Sequence, residues 1–217
     1  EIEIICINFG SSDDSLAVLT NMHRLDRRIS IINLSDDFSE AYNKAVNQAH
    51  GEYIMFLNEN TRFYSRCVCA EMYTDISAHS ADVYQGKIIY QENGITELAD
   101  ENNKDYSIFD GSYSQNALCG LIISRKFIAD SSISMKYSGM FDDYSFLIKI
   151  MHRAEKIYSG NETVCVCEKS DLRINDEKTA AMLMDSFVSM LEYTKKNSLD
   201  IWNRNIFSLL NDSFADD

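Results

Sequence analysis

The sequence predicts an α/β sandwich in which a mainly parallel central sheet is flanked by helices. Three observations carry that expectation. Strand-like and helix-like segments alternate from the first residue, the run Tyr53 to Leu57 is continuously apolar, and each early strand ends in a polar cluster. A continuous apolar strand suits a parallel sheet buried on both faces. Right-handed crossovers then leave the helices on those faces.

The elements follow in order. Ile2 to Ile7 is rich in isoleucine and reads as a strand over 2–8, broken at Asn8-Phe9-Gly10. Ser11 to Asp14 supplies helix-starting side chains, and Leu16 to Leu25 repeats apolar residues at helical spacing. Ile29 to Leu34 is a second strand, closed by Ser35-Asp36-Asp37. Ser39 caps a short helix with Ala41, Ala45, Val46 and Ala49 on one face, and Gly51 is expected to end it as a C-terminal glycine. The third strand, Tyr53 to Leu57, runs into Asn58-Glu59-Asn60. Ligands of such sheets lie beyond the carboxyl ends of the strands, so the three polar clusters are expected on one edge.

The later half is read as a helix over Ser65–His79, a strand over Asp82–Tyr90 and a turn at Glu92-Asn-Gly94. A polar stretch over 97–115 has no period. A strand over Leu118–Ile123 and a loop or short helix over Phe127–Gly139 follow. Asp142-Asp143 precedes a helix over Tyr144–Ala154, and Thr163–Cys167 is a strand. Residues 1–175 are expected to form the main domain. Residues 176–217, with helices over Asp176–Lys196 and Ile201–Phe214, are expected to be a helical extension packed on it.

With 34 acidic against 20 basic residues, the 217-residue chain carries a net charge of −14. That balance argues against a general nucleic-acid binder and against docking on anionic lipid through a basic patch, since both need clustered Lys and Arg. A hydrophobic content of 45% supports a real core and excludes a disordered chain. Six cysteines, at 6, 67, 69, 119, 165 and 167, lack the density of a disulfide framework and imply reduced thiols in the cytoplasm. No signal peptide is visible, and a chain opening at Glu1 without an initiator methionine is expected to be part of a longer polypeptide with other domains.

Two stretches carry a family resemblance. The first is Ser39-Glu-Ala-Tyr-Asn43-Lys-Ala-Val-Asn-Gln-Ala49-His-Gly51-Glu-Tyr53-Ile-Met-Phe-Leu57-Asn-Glu-Asn60. The second is Gly120 before Ser124-Arg125, leading to Phe141-Asp142-Asp143-Tyr-Ser-Phe146. Together they resemble the family 2 glycosyltransferases. In that family a helix runs into Ala-x-Gly-Glu-Tyr, an apolar strand and Asp-x-Asp, and a later acid–Asp pair opens a helix. The resemblance implies a GT-A-like, Rossmann-like fold and inverting transfer from a nucleotide-sugar, most readily a UDP-sugar, to a saccharide or other hydroxyl acceptor. It also implies Asp143 as base with Asp142 beside it, and a donor edge of Asn8, Phe9, Asp36, Asp37, Asn58, Glu59 and Asn60.

Two departures stand out. The region before Gly51 is shorter than in the family by about one strand–helix unit, and Asn58-Glu59-Asn60 stands where the family has Asp-x-Asp. A hard cation such as Mn²⁺ or Mg²⁺ prefers carboxylate oxygens, and on an extended backbone Glu59 would point away from its neighbours. No residue is therefore assigned to a metal, and Arg62 is the nearest cation for a leaving diphosphate. The alternative reading is a catalytically inactive glycosyltransferase-like domain, a pseudoenzyme with a binding or assembly role in a larger protein. Blander roles also exist: Asp142 and Asp143 suit a helix N-terminus, and Cys165 and Cys167 suit a core. Trp202, Ile206, Leu209, Leu210 and Phe214 are expected to pack on the domain itself.

Overall fold

The computed structural model describes residues 1–34, 38–92, 95–98, 117–135, 142–168, 177–203 and 206–207. β1 (Ile4–Phe9) and β2 (Ile29–Leu34) pair in parallel, Ile4 opposite Ile29. Parallel neighbours need a crossover, and α1 (Ser15–Leu25) supplies it. α2 (Phe38–Gln48) leads to β3 (Tyr53–Met55).

β3 belongs to a second, six-stranded sheet with β4 (Thr61–Phe63), β5 (Val83–Glu92), β6 (Ile95–Leu98), β7 (Leu121–Ser124) and β8 (Ile157–Glu168). The order is β3-β7-β5-β8-β4, with β6 beside β5. This corrects the expectation of a mainly parallel sheet. Among the described residues β3–β7, β5–β7, β4–β8 and β5–β6 are antiparallel, and only β1–β2 and β5–β8 are parallel. β3 sits at the end of that order, so Tyr53, Ile54 and Met55 are half-buried rather than enclosed, and Leu57 is exposed.

Helices α3 (Val68–His79), α4 (Arg125–Asp130), α5 (Asp142–Arg153) and α6 (Glu177–Lys196) complete the described α-helices. Alternation along β7 makes the sandwich: Ile123 joins one core with α5 and α6, while Ile122 joins another with α3. Phe146, Leu147, Leu183, Phe187, Trp202 and Ile206 fill the first core; Val68, Met72, Ile76, Tyr84 and Cys165 fill the second. Trp202 and Ile206 are buried, so these two members of the C-terminal apolar face pack inward.

Several boundaries differ from the expectation. The strand expected over 118–123 is a 3-10 turn, Ala117–Gly120, followed by β7, and Gly120 is needed there because a Cβ would lie 2.9 Å from the Ile88 side chain. β8 begins before Thr163, because its polar first half pairs with β5 across a bulge. β4 has only three residues and no legible pattern. The turn at 93–94, most of the polar 97–115 stretch and residues 136–139 lie outside the described residues, as do Leu209, Leu210 and Phe214.

Candidate functional site

The Gly51-Glu52-Tyr53 motif works first as a clamp. Gly51 donates its N–H to Glu3 Oε1 at 2.7 Å, and Arg125 donates Nε–H to the Gly51 carbonyl at 2.7 Å. The Arg125 backbone N–H reaches the Glu52 carbonyl at 3.0 Å. The residues just ahead of β1 and β3 and the start of α4 are thereby tied at one point. Gly51 is not the left-handed helix end expected from sequence: α2 stops at Gln48, and among the described residues the positive-φ glycine is Gly10. Its value is small size, since a Cβ would lie 3.1 Å from the Tyr53 carbonyl. Asn43 plays a similar part. Its Nδ2 donates to the Met135 carbonyl at 2.7 Å and its Oδ1 accepts the Met135 N–H at 2.9 Å, fastening α2 to the segment ahead of α5.

Beyond β3, residues 58–61 form a tight turn, not the extended backbone expected. Thr61 N–H and Oγ1–H both donate to the Asn58 carbonyl, at 3.1 and 2.9 Å. The Asn58 N–H donates to Thr61 Oγ1 at 3.0 Å, and Asn58 Oδ1 accepts the Asn60 N–H at 3.1 Å. An Asn side chain that closes its own turn in this way mimics backbone. The turn wraps the buried Cys119 thiol, whose pKa burial pushes up to about 11, against the opposing pull of the Thr61 hydroxyl and the Asn58 N–H.

Phe56 leaves β3 to stack on Tyr42 of α2 (centroids 5.5 Å apart) and to meet Phe146 of α5 edge-on at 5.8 Å. This ladder sets α5 against the turn, and Asp143 is one helical turn before Phe146. Burial raises the Tyr42 pKa most, and the charges of Asp143, Cys119 and Glu59 raise it further. Asp143, Cys119 and Glu59 thus all lie within electrostatic reach of the Tyr42 hydroxyl. Half-buried Asp143 accepts the Tyr144 N–H on Oδ1 at 2.8 Å.

Asn58, Glu59 and Asn60 thus share one turn with Thr61, and Asp143 is within electrostatic reach of Tyr42 and Cys119; to Tyr42, Thr61 and Cys119 the residue pattern assigned no role. For Tyr42 a signal existed, since it shares a helical stripe with Ala45, Val46 and Ala49. Asn8 is buried and gives its Nδ2–H to Asn33 Oδ1 at 2.6 Å, linking the ends of β1 and β2. Phe9 beside it is exposed. Asp36, Asp37 and the side chain of Asp142 lie outside the described residues. Arg62 is turned away from the turn: Thr61 faces Asn58, so alternation sends Arg62 to the other side of β4, where Nη2 donates to Gln91 Oε1 at 3.2 Å.

The amides of the Asn58–Asn60 turn do not by themselves fit a divalent cation. Asn58 and Asn60 offer neutral amides, Asn58 Oδ1 already accepts an N–H, and no three His, Cys, Asp or Glu among the described residues are grouped to hold a metal. Cys165 and Cys167 are buried with Sγ atoms 3.9 Å apart, and this hydrogen-bonded contact together with burial keeps the Cys165 thiol protonated, a core role.

Solved structures share the architecture. The chain superposes on Staphylococcus aureus TarS (residues 1–349, in complex with UDP-GlcNAc) with a TM-score of 0.64 at 16% identity, covering 86% of this chain and 56% of that one. It superposes on the mannosyltransferase PcManGT from Pyrobaculum calidifontis, in complex with GDP-Man and Mn²⁺, with a TM-score of 0.58 at 10% identity, covering 98% of this chain and 61% of that one. The chain therefore spans less than two thirds of either neighbour. No curated protein matches the sequence. Residues 1–127, more than half of the chain, match the profile of glycosyl transferase family 2, and the chain belongs to that family.

Proposed function

We propose that this domain binds a nucleotide-sugar, a UDP-sugar foremost, beyond the carboxyl ends of β1 and β3 and transfers the sugar to a saccharide or other hydroxyl acceptor with inversion. The observation that carries the reading is that Asp143 and Glu59 of the 58–61 turn both lie within electrostatic reach of half-buried Tyr42, whose ring stacks on Phe56. In the transfer, the acceptor oxygen bonds to the anomeric carbon as the bond from that carbon to the diphosphate oxygen breaks. The hydroxyl proton passes to Asp143, and the nucleoside diphosphate leaves with the bonding electrons. The Tyr144 N–H orients the Asp143 carboxylate for this task. Nucleotide-sugars in the TarS and PcManGT complexes support the donor class. Other domains of a longer chain would supply acceptor contacts, and six free thiols support a reducing setting such as the cytoplasm. Among the described residues no helix is long and apolar enough to cross a membrane.

A specific observation favours a second reading, the inactive binding domain: the turn that would meet the diphosphate presents amides, and one of them is engaged in the turn itself. Calorimetry with UDP, UDP-GlcNAc and GDP-mannose, followed by turnover of whichever donor binds, separates the two. Active transfer predicts that Asp143→Asn lowers kcat by about a hundredfold or more with little change in donor affinity. Donor binding without turnover favours the inactive binding reading, and no binding defeats every donor-binding reading and leaves an assembly role.

A further inference from the structure

α1 is an exposed helix with apolar residues on two sides. Leu19 and Thr20 are half-buried, and His23 Nδ1 is hydrogen-bonded to the Ile29 carbonyl, so this side faces β2. Val18, Met22 and Leu25, spaced i, i+4 and i+7, form a stripe on another side of the helix, with 55%, 47% and 81% of their surface exposed. No residue of α1 is buried. Nothing in the β1–α1–β2 unit needs that stripe. Surface apolar residues scattered singly need no explanation, but a helical stripe of three facing water on an acidic domain does.

The charges around the stripe say what would cover it. Asp13 and Asp14 precede α1, while Arg24 ends it and Arg27 and Arg28 follow. Arg28 is held by Asp26 at 2.7 Å, and Arg24 and Arg27 make no ion pair among the described residues. Acids before the helix and cations after it suit its own dipole. They are also self-complementary in an antiparallel pair of α1 helices, where the start of each meets the end of the other. In that register Val18 faces Leu25, Met22 faces Met22, and Asp14 approaches Arg27. We propose that the outer face of α1 is a self-docking surface on which a second copy of this chain packs its own α1 antiparallel about a two-fold axis.

An eleven-residue helix is about 16 Å long and covers well under the roughly 800 Å² per partner of a standard stable interface, so the dimer is weak. Sedimentation equilibrium of the 217-residue chain is expected to show a reversible monomer–dimer equilibrium with a Kd on the order of 100 µM. Leu25→Glu should leave only monomer. Asp14→Lys and Arg27→Glu, both at exposed positions, should each weaken self-association at least tenfold. An equimolar mixture of those two variants should recover wild-type affinity, because the introduced lysine faces the introduced glutamate while Arg27 still faces Asp14. Circular dichroism of each variant reports whether it is folded.

The proposal is overturned if the wild-type chain stays monomeric at millimolar concentration, if Leu25→Glu dimerises as well as wild type, or if the mixture does not recover. A monomeric chain that sediments with phosphatidylglycerol vesicles, and loses that binding in Leu25→Glu, would likewise overturn it and assign the face to a membrane.

Discussion

Replacing both amides of the turn by carboxylates, Asn58→Asp with Asn60→Asp, tests the candidate site at its centre. Asn58 Oδ1 accepts the Asn60 N–H, and a carboxylate oxygen accepts the same bond more strongly, so the turn and the Cys119 thiol beneath it should survive. One oxygen of the new residue 58 carboxylate is thereby committed to the turn, and the other is available to a cation. A single carboxylate in contact with a divalent ion, screened as in water at 4 Å, contributes about 2 kcal/mol. That corresponds to about a thirtyfold gain in affinity, with the second carboxylate and a bound diphosphate adding to it. Isothermal calorimetry of Mn²⁺ with and without UDP reads the effect directly. In the wild-type chain Mn²⁺ should change UDP affinity by less than about threefold, about 0.7 kcal/mol. A folded double variant that gains less than about threefold in Mn²⁺ affinity would show that residues 58 and 60 do not face a donor site. A wild-type chain whose UDP binding tightens a hundredfold with Mn²⁺, about 2.7 kcal/mol, would refute the reasoning from the other side.

Three stability measurements probe the frame around the site. Gly160→Ala would put a Cβ 2.0 Å from the hydroxyl of Tyr84, which is buried beside Tyr158, so urea unfolding should show a loss of about 3 kcal/mol. Asn43→Ala would strand the Met135 N–H and carbonyl and cost about 2 kcal/mol by the same assay, with Asn43→Asp intermediate because it keeps the acceptor. Glu3 is held below the usual carboxylate range: partial burial opposes this, but the Gly51 and His50 N–H groups outweigh it. A depressed carboxylate stabilises the fold above its unfolded pKa, near 4.3. That contribution is lost as the pH falls through the folded value. Glu3→Gln should therefore cost up to about 1 kcal/mol at pH 7, an exposed contact being screened, and nothing once both forms are protonated near pH 2.

The local elements of the first third were legible because local physics makes them. Isoleucine runs at 4–7 and 29–32 favour extended backbone, the Leu16–Leu25 spacing favours helix, and all three appear where expected. The Asp142-Asp143 pair was also legible as lying at the start of a helix, and α5 begins at Asp142 rather than Tyr144. Strand direction was not. The apolar run from Tyr53 reads alike beside a parallel or an antiparallel neighbour, and only the packing of β7 against it makes the pair antiparallel. The extended backbone expected for Asn58–Asn60 failed for a related reason. Hydrogen bonds from Asn58 and Thr61 close the turn around Cys119, which lies about sixty positions away.

By itself the sequence determined that the chain alternates strand and helix, that its motifs are those of glycosyl transferase family 2, and that Asn58-Glu59-Asn60 follows the third strand. These depend on residue identity and near-neighbour spacing, which chain order preserves. Only the tertiary structure decided that Gly51 is a clamp rather than a helix end. It likewise showed that Asn8 serves the β1–β2 pair, that Arg62 turns away, and that Tyr42 joins the turn to Asp143 through Phe56 and Phe146. Each of those outcomes rests on a contact between segments far apart in the chain. Where a side chain has several feasible partners, its role is settled by which of them packing brings within hydrogen-bonding or van der Waals distance.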